Sequence, residues 1–225
     1  MISVVIPALN EEMALPLTLA ALRKQRGSFE IIVVDGGSTD RTREVAAAEA
    51  RVRLVSARRG RGAQMNAGAR IARGEILLFL HADSVLPQDA VAMLNAFEAH
   101  RDCLWGGFRQ RFTGDDWRLR LISRLHNWRC RLSRVCYGDQ AMFVRKAVFR
   151  ACGGFPEQPI LEDAALSEKL RAVARPLLLE EQVVTDARKF LKMGVWHSLA
   201  RVFVIMLCHR LRLPIPMREF FEPVR

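Results

Sequence analysis

The sequence has no cysteines spaced Cys-x-x-Cys and no paired-histidine motif. Its five cysteines, Cys103, Cys130, Cys136, Cys152 and Cys208, are odd in number. A disulfide framework or a structural zinc site is therefore not indicated, and reduced cytosolic thiols fit better. No uninterrupted apolar run reaches the roughly 20 residues that cross a bilayer. The best candidate, residues 195–213, is broken by His197, Arg201, His209, Arg210 and Arg212. The opening Met1-Ile2-Ser3-Val4-Val5-Ile6-Pro7 lacks a basic n-region and a small-residue cleavage site, so it reads as a first strand rather than a signal peptide. There is no Gly-Lys-Ser/Thr of a Walker loop, no internal repeat and no long Pro/Ser linker. What remains is a chain of 225 residues, half of them hydrophobic, long enough for one α/β domain whose core needs no staples. Cytoplasmic placement is expected, with peripheral contact at the inner membrane surface left open.

Acidic residues are in deficit: 24 Asp and Glu stand against 35 Lys and Arg, a formal charge of +11. Such an excess suits nucleic acid, an anionic membrane surface or a phosphate-rich small substrate, and charge by itself does not choose among them. A mean hydropathy near zero and four Trp argue against disorder.

Apolar runs at residues 2–7, 31–34 and 76–80, with a weaker one at 52–56, are continuous rather than alternating. Strands buried on both faces of a parallel sheet have this pattern. Between them, Leu15, Leu19 and Leu22 recur at helical spacing, with Pro16 tolerable in a first turn. Ser38 or Thr39 can cap a second helix reaching about Ala50. Residues 62–72 and 89–99 read as two more helices. This order predicts an open, doubly wound, mostly parallel sheet flanked by helices. Further on, Trp105-Gly106-Gly107-Phe108 predicts a strand with a close backbone approach. A basic helix is expected over 117–135, a short strand over 141–145, a helix over 163–174 and a last strand over 183–185. Leu199, Val202, Phe203, Met206 and Leu207 mark an amphipathic helix. That helix could pack on the domain, hold a homodimer partner or lie on a membrane.

Ligands of open parallel sheets bind beyond the carboxyl ends of the strands. Four successive strand ends carry polar or glycine-rich sets: Asn10-Glu11-Glu12, Asp35-Gly36-Gly37-Ser38, Arg58-Arg59-Gly60-Arg61 and His81-Ala82-Asp83. Asp35 can accept from a base or ribose, with Gly37 admitting a ligand to the backbone; taken singly, the stretch reads first as a turn with a helix cap, and the neighbouring strand ends reverse that preference. The loop around Arg61 could hold a diphosphate, with Gln64 and Asn66 as neutral contacts, or could be a solvated basic loop. Asp83, at the end of an apolar strand, needs a cation or several donors, and a Mg²⁺ or Mn²⁺ ion bridging it to a diphosphate would serve. It could also cap the following helix. Gly138, Asp139 and Gln140 form a loop suited to an acceptor or to an Asx-turn. Trp105 and Gly106 could line a sugar pocket, although a core Trp is the commoner case.

Several motifs together resemble the family 2 glycosyltransferases of the GT-A fold. They are Val5-Ile6-Pro7 with Asn10-Glu11, Val33-Val34-Asp35-Gly36-Gly37-Ser38-Thr39-Asp40, Leu80-His81-Ala82-Asp83, Gly138-Asp139-Gln140, Gly153-Gly154-Phe155-Pro156 and Leu161-Glu162-Asp163. The stretch from Arg59 to Gly68, with His81-Ala82-Asp83, is most similar to the bacterial branch associated with arsenosugar biosynthesis. The resemblance implies a GT-A domain over residues 1–190, with a nucleotide-binding half (1–100) and an acceptor half (101–190). It leaves a C-terminal helical extension over 191–225. It further implies a UDP- or GDP-type donor contacted by Pro7, Asn10, Glu11, Asp35, Gly37, Arg61, Gln64, Asn66, Ala82 and Asp83. Asp83 would match the last Asp of the family's Asp-x-Asp metal motif, with His81 replacing the first. Glu162 and Asp163 would match the acidic pair beside the acceptor, with Asp163 as general base. Inverting, hexosyl-type transfer to a small or lipid-linked acceptor follows from the same resemblance, with no nucleic-acid partner. The other readings are a nucleotidyltransferase of related fold, which would carry a glycine-rich signature after the first strand, and a non-catalytic basic nucleic-acid-binding protein. The latter leaves the acidic loops unexplained.

Overall fold

A computed structural model describes residues 1–97, 103–211 and 213. The chain runs β1 (Ile2–Ala8), α1 (Leu15–Arg23), β2 (Phe29–Asp35), α2 (Thr42–Ala47), β3 (Val52–Ser56), α3 (Arg61–Ile71), β4 (Ile76–Phe79), β5 (Ser84–Val85) and α4 (Ala90–Phe97). It continues through β6 (Trp105–Phe112), α5 (Trp117–Ser133), a 3₁₀ turn (Gly138–Gln140), β7 (Phe143–Arg145), α6 (Lys146–Ala151), α7 (Glu162–Val173), β8 (Leu177–Thr185), α8 (Arg188–Met193) and α9 (Val195–Leu211). The helix expected over 89–99 is described only to Phe97, and of the extension expected over 191–225, residue 212 and residues 214–225 lie outside the described residues.

One eight-stranded sheet with order β3-β2-β1-β4-β7-β6-β8-β5 unites the two expected halves. Four pairings are parallel (β1 with β2 and β4, β2 with β3, β6 with β8) and three are antiparallel. The first four strands are thus a purely parallel unit. Strand direction becomes mixed only where β7 returns antiparallel to β4.

The continuous apolar runs are explained by burial on both faces. Side chains alternate across a strand. Val4, Ile6, Ile31, Val33 and Leu78 pack on one face with Leu15 and Leu19 of α1 and Leu94 of α4. Val5, Ile32, Val34, Leu77 and Phe79 pack on the other with Met65 and Ala69 of α3 and Leu166 and Leu170 of α7. Each such side chain contributes about 1.5–3 kcal/mol on full burial. Gly106 makes the anticipated close approach, because a Cβ there would overlap the Leu177 carbonyl oxygen of β8.

The start of α2 differs from expectation. Neither Ser38 nor Thr39 caps it. Ser38 Oγ accepts from Asn10 N at 3.0 Å, and Thr39 N donates to Asn10 Oδ1 at 2.9 Å. The helix begins instead at Thr42, whose N–H is taken by Asp40 Oδ1 at 3.0 Å. Asn10 therefore ties the loop after β1 to the loop after β2, and tertiary contacts consume the residues that local spacing marked as caps.

Candidate active site

Because β3, β2, β1 and β4 lie side by side, their carboxyl ends form one rim. A cleft of about 560 Å³ opens there. Glu11, Arg59, Arg61, His81, Asp83 and Asp163 line its charged end. Phe112, Ile122, Phe190, Leu199, Val202 and Met206 line an apolar end built from β6, α5, α8 and α9. No element of the parallel unit supplies that apolar wall.

Of the residues expected from sequence, Pro7, Glu11, Arg61, Gln64, Ala82, Asp83, Asp139 and Asp163 line this cleft. The others stand behind it or elsewhere. Asp35 is fully buried and accepts from Gly37 N at 3.1 Å and Ser38 N at 3.1 Å, with Arg43 Nη1 at 3.3 Å. It braces the loop under the rim and does not present its carboxylate to the cleft. Gln64 reaches the cleft, but its amide nitrogen donates to Ala8 O and Val34 O, each at 2.8 Å, locking the ends of β1 and β2 together. Both N–H groups are thereby used, and only its oxygen is left to face a ligand. Asn66 exchanges two hydrogen bonds with the Phe155 backbone, at 2.8 and 3.0 Å, and holds that loop on α3. Trp105 is fully buried in the core, its indole N–H donating to Ala174 O at 2.9 Å, and neither it nor Gly106 lines the cleft. Gln140 is buried behind the 3₁₀ turn, accepting from Tyr137 N at 3.0 Å and donating to Phe108 O at 3.2 Å.

The acidic pair opens α7. Asp163 Oδ1 accepts from Ala164 N at 2.7 Å and Oδ2 from Gly138 N at 2.5 Å. Two backbone donors, one in the first turn of α7 and one in the 3₁₀ turn, orient the carboxylate, and each oxygen keeps a further lone pair. Satisfying a first-turn N–H of α7 and facing the cleft are therefore roles of one side chain. Glu162 is buried, with Oε1 3.0 Å from Arg61 Nε and Oε2 lacking a protein partner. Burial raises its pKa, and Arg61 works against that shift. His81 packs against Gly138. Burial, then Arg61, lowers the His81 pKa against the opposing pull of Asp83, Asp139 and Asp163. In the basic loop, Arg58 pairs with Glu157 and Arg61 with Glu162. Arg59 lines the cleft, exposed and without a carboxylate partner among the described residues.

Among the cleft residues that sequence reasoning did not single out are Gln110, His126, Arg129 and Tyr137. His126 Nε2 lies 3.3 Å from Asp139 Oδ1. Burial alone lowers the His126 pKa, but Asp139 overrides it and holds the imidazole up at about 10. The same pairing holds the Asp139 carboxyl below its usual range in spite of burial. Arg129 Nη2 sits 2.9 Å from His126 Nδ1. The Arg129 guanidinium also covers the Tyr137 ring, 4.1 Å from its centroid. The amide of Gln110 is buried at the cleft wall with neither polar atom partnered by protein. Such an orphaned amide is satisfied by a polar ligand or water. The spacing of His126 and Arg129 on a basic helix was the available signal, but the sequence alone does not say which face of α5 turns inward.

Among the described residues, no group of three or more His, Cys, Asp and Glu is arranged to hold a metal ion. The cleft offers Asp83 at its charged end. This donor set fits a hard cation held mostly by substrate phosphates and does not fit a cage made by the protein.

Residues 3–152 match the family described as Glycosyl transferase family 2. A PGL/p-HBAD biosynthesis glycosyltransferase of Mycobacterium tuberculosis is 35% identical over 167 residues, covering 69% of this chain and 63% of the relative. An undecaprenyl-phosphate 4-deoxy-4-formamido-L-arabinose transferase of Pseudomonas paraeruginosa is 38% identical over 138 residues, covering 56% of this chain and 40% of the relative. The match thus spans less than two thirds of the length of these curated relatives. Among solved structures, a mannosyltransferase from Pyrobaculum calidifontis in complex with GDP-Man and Mn2+ superposes with TM-score 0.66 at 21% identity, over 97% of this chain and 67% of that one. S. aureus TarS 1-349 in complex with UDP-GlcNAc gives 0.65 at 21% identity, over 82% and 58%. At that identity the likeness concerns the fold, which is GT-A.

Proposed function

Because this chain belongs to glycosyl transferase family 2, we propose that its cleft transfers a sugar, of hexosyl type, from a nucleotide-diphospho-sugar to an acceptor hydroxyl with inversion at the anomeric carbon. One observation carries the reading: Asp83 after β4, Asp163 at the start of α7, and Arg59 and Arg61 at the entry to α3 face a single cavity. A diphosphate needs cations, and a hydroxyl nucleophile needs a base. Both sets meet here at the rim where open sheets bind ligands. The solved structures of similar fold in complex with GDP-Man and with UDP-GlcNAc support a donor of this class.

In this reading Arg59 and Arg61 bind the donor diphosphate, and Glu162 orients Arg61 for it. Asp83 would hold a Mn²⁺ or Mg²⁺ ion, which would supply charge neutralisation for the leaving diphosphate. Asp163 takes the proton of the acceptor hydroxyl as its oxygen bonds to the anomeric carbon and the bond to the diphosphate breaks. Gln110 hydrogen-bonds the transferred sugar or the acceptor. The apolar end of the cleft implies an acceptor whose hydroxyl is carried by a hydrophobic group.

The test has two parts. Thermal-shift measurements with UDP and GDP, with and without Mn²⁺, are expected to show stabilisation that requires both nucleotide and metal; no shift with any nucleotide defeats the reading. Asp163→Asn is expected to keep that shift and to lose about 10²–10⁴-fold in turnover, the usual worth of general-base help. A collapsed melting transition in this variant would make Asp163 a structural residue.

A further inference from the structure

Helices α5 and α9 are apolar on two sides, and the cleft and core use only one. Inward, Leu119, Ile122 and Cys130 of α5 and Val195 and Ile205 of α9 are buried. Outward, α5 exposes Trp117, Leu121, Leu125, Trp128 and Leu132, with the two tryptophans 59% and 62% accessible. At about 100° per residue these five fall within an arc of roughly 80°, so they form one stripe along the helix. Helix α9 repeats the arrangement with Trp196, Phe203, Leu207 and Leu211, again within roughly 80°. Trp117 and Trp196 meet edge to face, centroids 6.3 Å apart, and join the two stripes. Soluble monomers rarely expose a contiguous apolar surface of this kind.

The charge around the patch is mainly basic: Arg118 is paired with Asp116 and Arg131 with Glu180, while Arg120 and Arg124 have no carboxylate partner among the described residues. Residues 117–134 hold Arg118, Arg120, Arg124, Arg129, Arg131 and Arg134 and no Asp or Glu, and α9 likewise contains no acidic residue. On the α5 wheel, Arg118 borders the stripe on one side and Arg120, Arg124 and Arg131 on the other. Arg124 is exposed.

We propose that the outer faces of α5 and α9 together dock on an anionic lipid bilayer. The two helices lie in the headgroup plane, aromatic and aliphatic side chains dip into the acyl boundary, and the flanking arginines meet lipid phosphates while their stems lie along the apolar layer. Among the described residues no helix is long and apolar enough to cross a membrane, so the contact is peripheral. A second copy of the chain is the poorer occupant. In a twofold contact the same patch faces itself, and here that sets arginines against arginines with no acid on either helix. The inner faces of the same helices form the apolar end of the cleft through Ile122, Leu199, Val202 and Met206. Docking therefore sets that end beside the bilayer. The proposal stands on the surface alone and does not require the transfer reaction.

The full chain is mixed with vesicles of phosphatidylcholine alone or of phosphatidylcholine with phosphatidylglycerol, and binding is read by flotation and by tryptophan emission. At least about tenfold tighter partition to the anionic vesicles is expected, weakening with salt, together with a blue shift of emission. Leu125→Gln/Trp128→Gln/Leu132→Gln should keep the melting temperature and lose about tenfold or more in binding, and Arg120→Gln/Arg124→Gln should lose the preference for anionic lipid. If the triple variant does not fold, Trp128→Gln alone is expected to lose the larger part of the blue shift. Absence of binding to either vesicle, or equal binding by wild type and a folded variant, overturns the proposal. A concentration-dependent dimer in lipid-free buffer that the triple variant dissolves also overturns it, by assigning the face to a second copy.

Discussion

Gly138 is the tightest joint in the site, and Gly138→Ala tests whether the geometry around Asp163 is as rigid as the structure indicates. Its backbone needs no left-handed conformation, so the effect of a methyl group is steric. That methyl would lie 2.8 Å from His81 Cε1, nearer still to Nε2, and 3.2 Å from Asp163 Oδ2. Either the imidazole moves into the cleft, or the 3₁₀ turn retreats and draws Gly138 N away from Asp163. Overpacking of this kind costs about 1–3 kcal/mol. For a chain of this size that is a fall of roughly 2–12 °C in melting temperature. The larger effect is on chemistry, because a displacement of about 1 Å at a base can reduce turnover about 10²-fold. The assay is nucleotide release from the nucleotide-sugar that thermal shift identifies, with melting curves of Gly138→Ala, His81→Ala and the double variant. His81→Ala removes the clashing ring, so the double variant should recover most of the melting temperature lost by the glycine substitution. Wild-type melting and turnover in Gly138→Ala would refute the tight contact. Failure of His81→Ala to restore stability would show that the collision is with Asp163 or the turn itself.

Other expectations follow from the same coordinates. Arg59→Gln should leave the melting temperature unchanged and raise the donor KM by roughly 10–100-fold, the value of a charge-assisted contact, with a smaller salt dependence than wild type. Asp139→Asn should lower the His126 pKa, followed by NMR, from about 10, since the largest opposing influence on burial is removed and only Cys130 still works against it. Folded His126 holds its proton to about pH 10 and the unfolded residue to about 6.5, so the pair's contribution is complete below pH 6.5 and lost as pH rises through 10. The stability difference between wild type and Asp139→Asn should shrink over that window, and a constant difference would exclude the coupling. Trp105→Phe should destabilise the fold by about 1–3 kcal/mol through lost packing and its indole hydrogen bond, while nucleotide-induced stabilisation stays unchanged. A specific loss of nucleotide binding would return Trp105 to the site.

Strand and helix order in the first hundred residues was legible because it is written locally. Ile31 to Val34 can only be a strand buried on both faces, and the polar residue after each run marks where the sheet stops. Adjacent parallel strands then bring Asp83 and the Arg59–Arg61 loop to one rim without further information. The fates of individual polar side chains were not legible. Gln64 and Asn66 satisfy carbonyls of Ala8, Val34 and Phe155 that lie 30–89 residues away. Nothing in their neighbourhood distinguishes such a lock from a ligand contact. Asp35 is likewise absorbed by its own loop and Arg43.

What the sequence determines by itself is therefore the parallel unit, its glycine and carboxylate loops, and the family to which they belong, because short-range periodicity and turn chemistry encode them. Tertiary structure alone decided that His126 and Arg129 turn toward Asp139, that Trp105 is core, and that α5 and α9 wall the cleft on one side and expose an apolar face on the other. Those outcomes depend on which face of a helix is buried. When a helix is apolar on two sides, only its packing partner makes that choice.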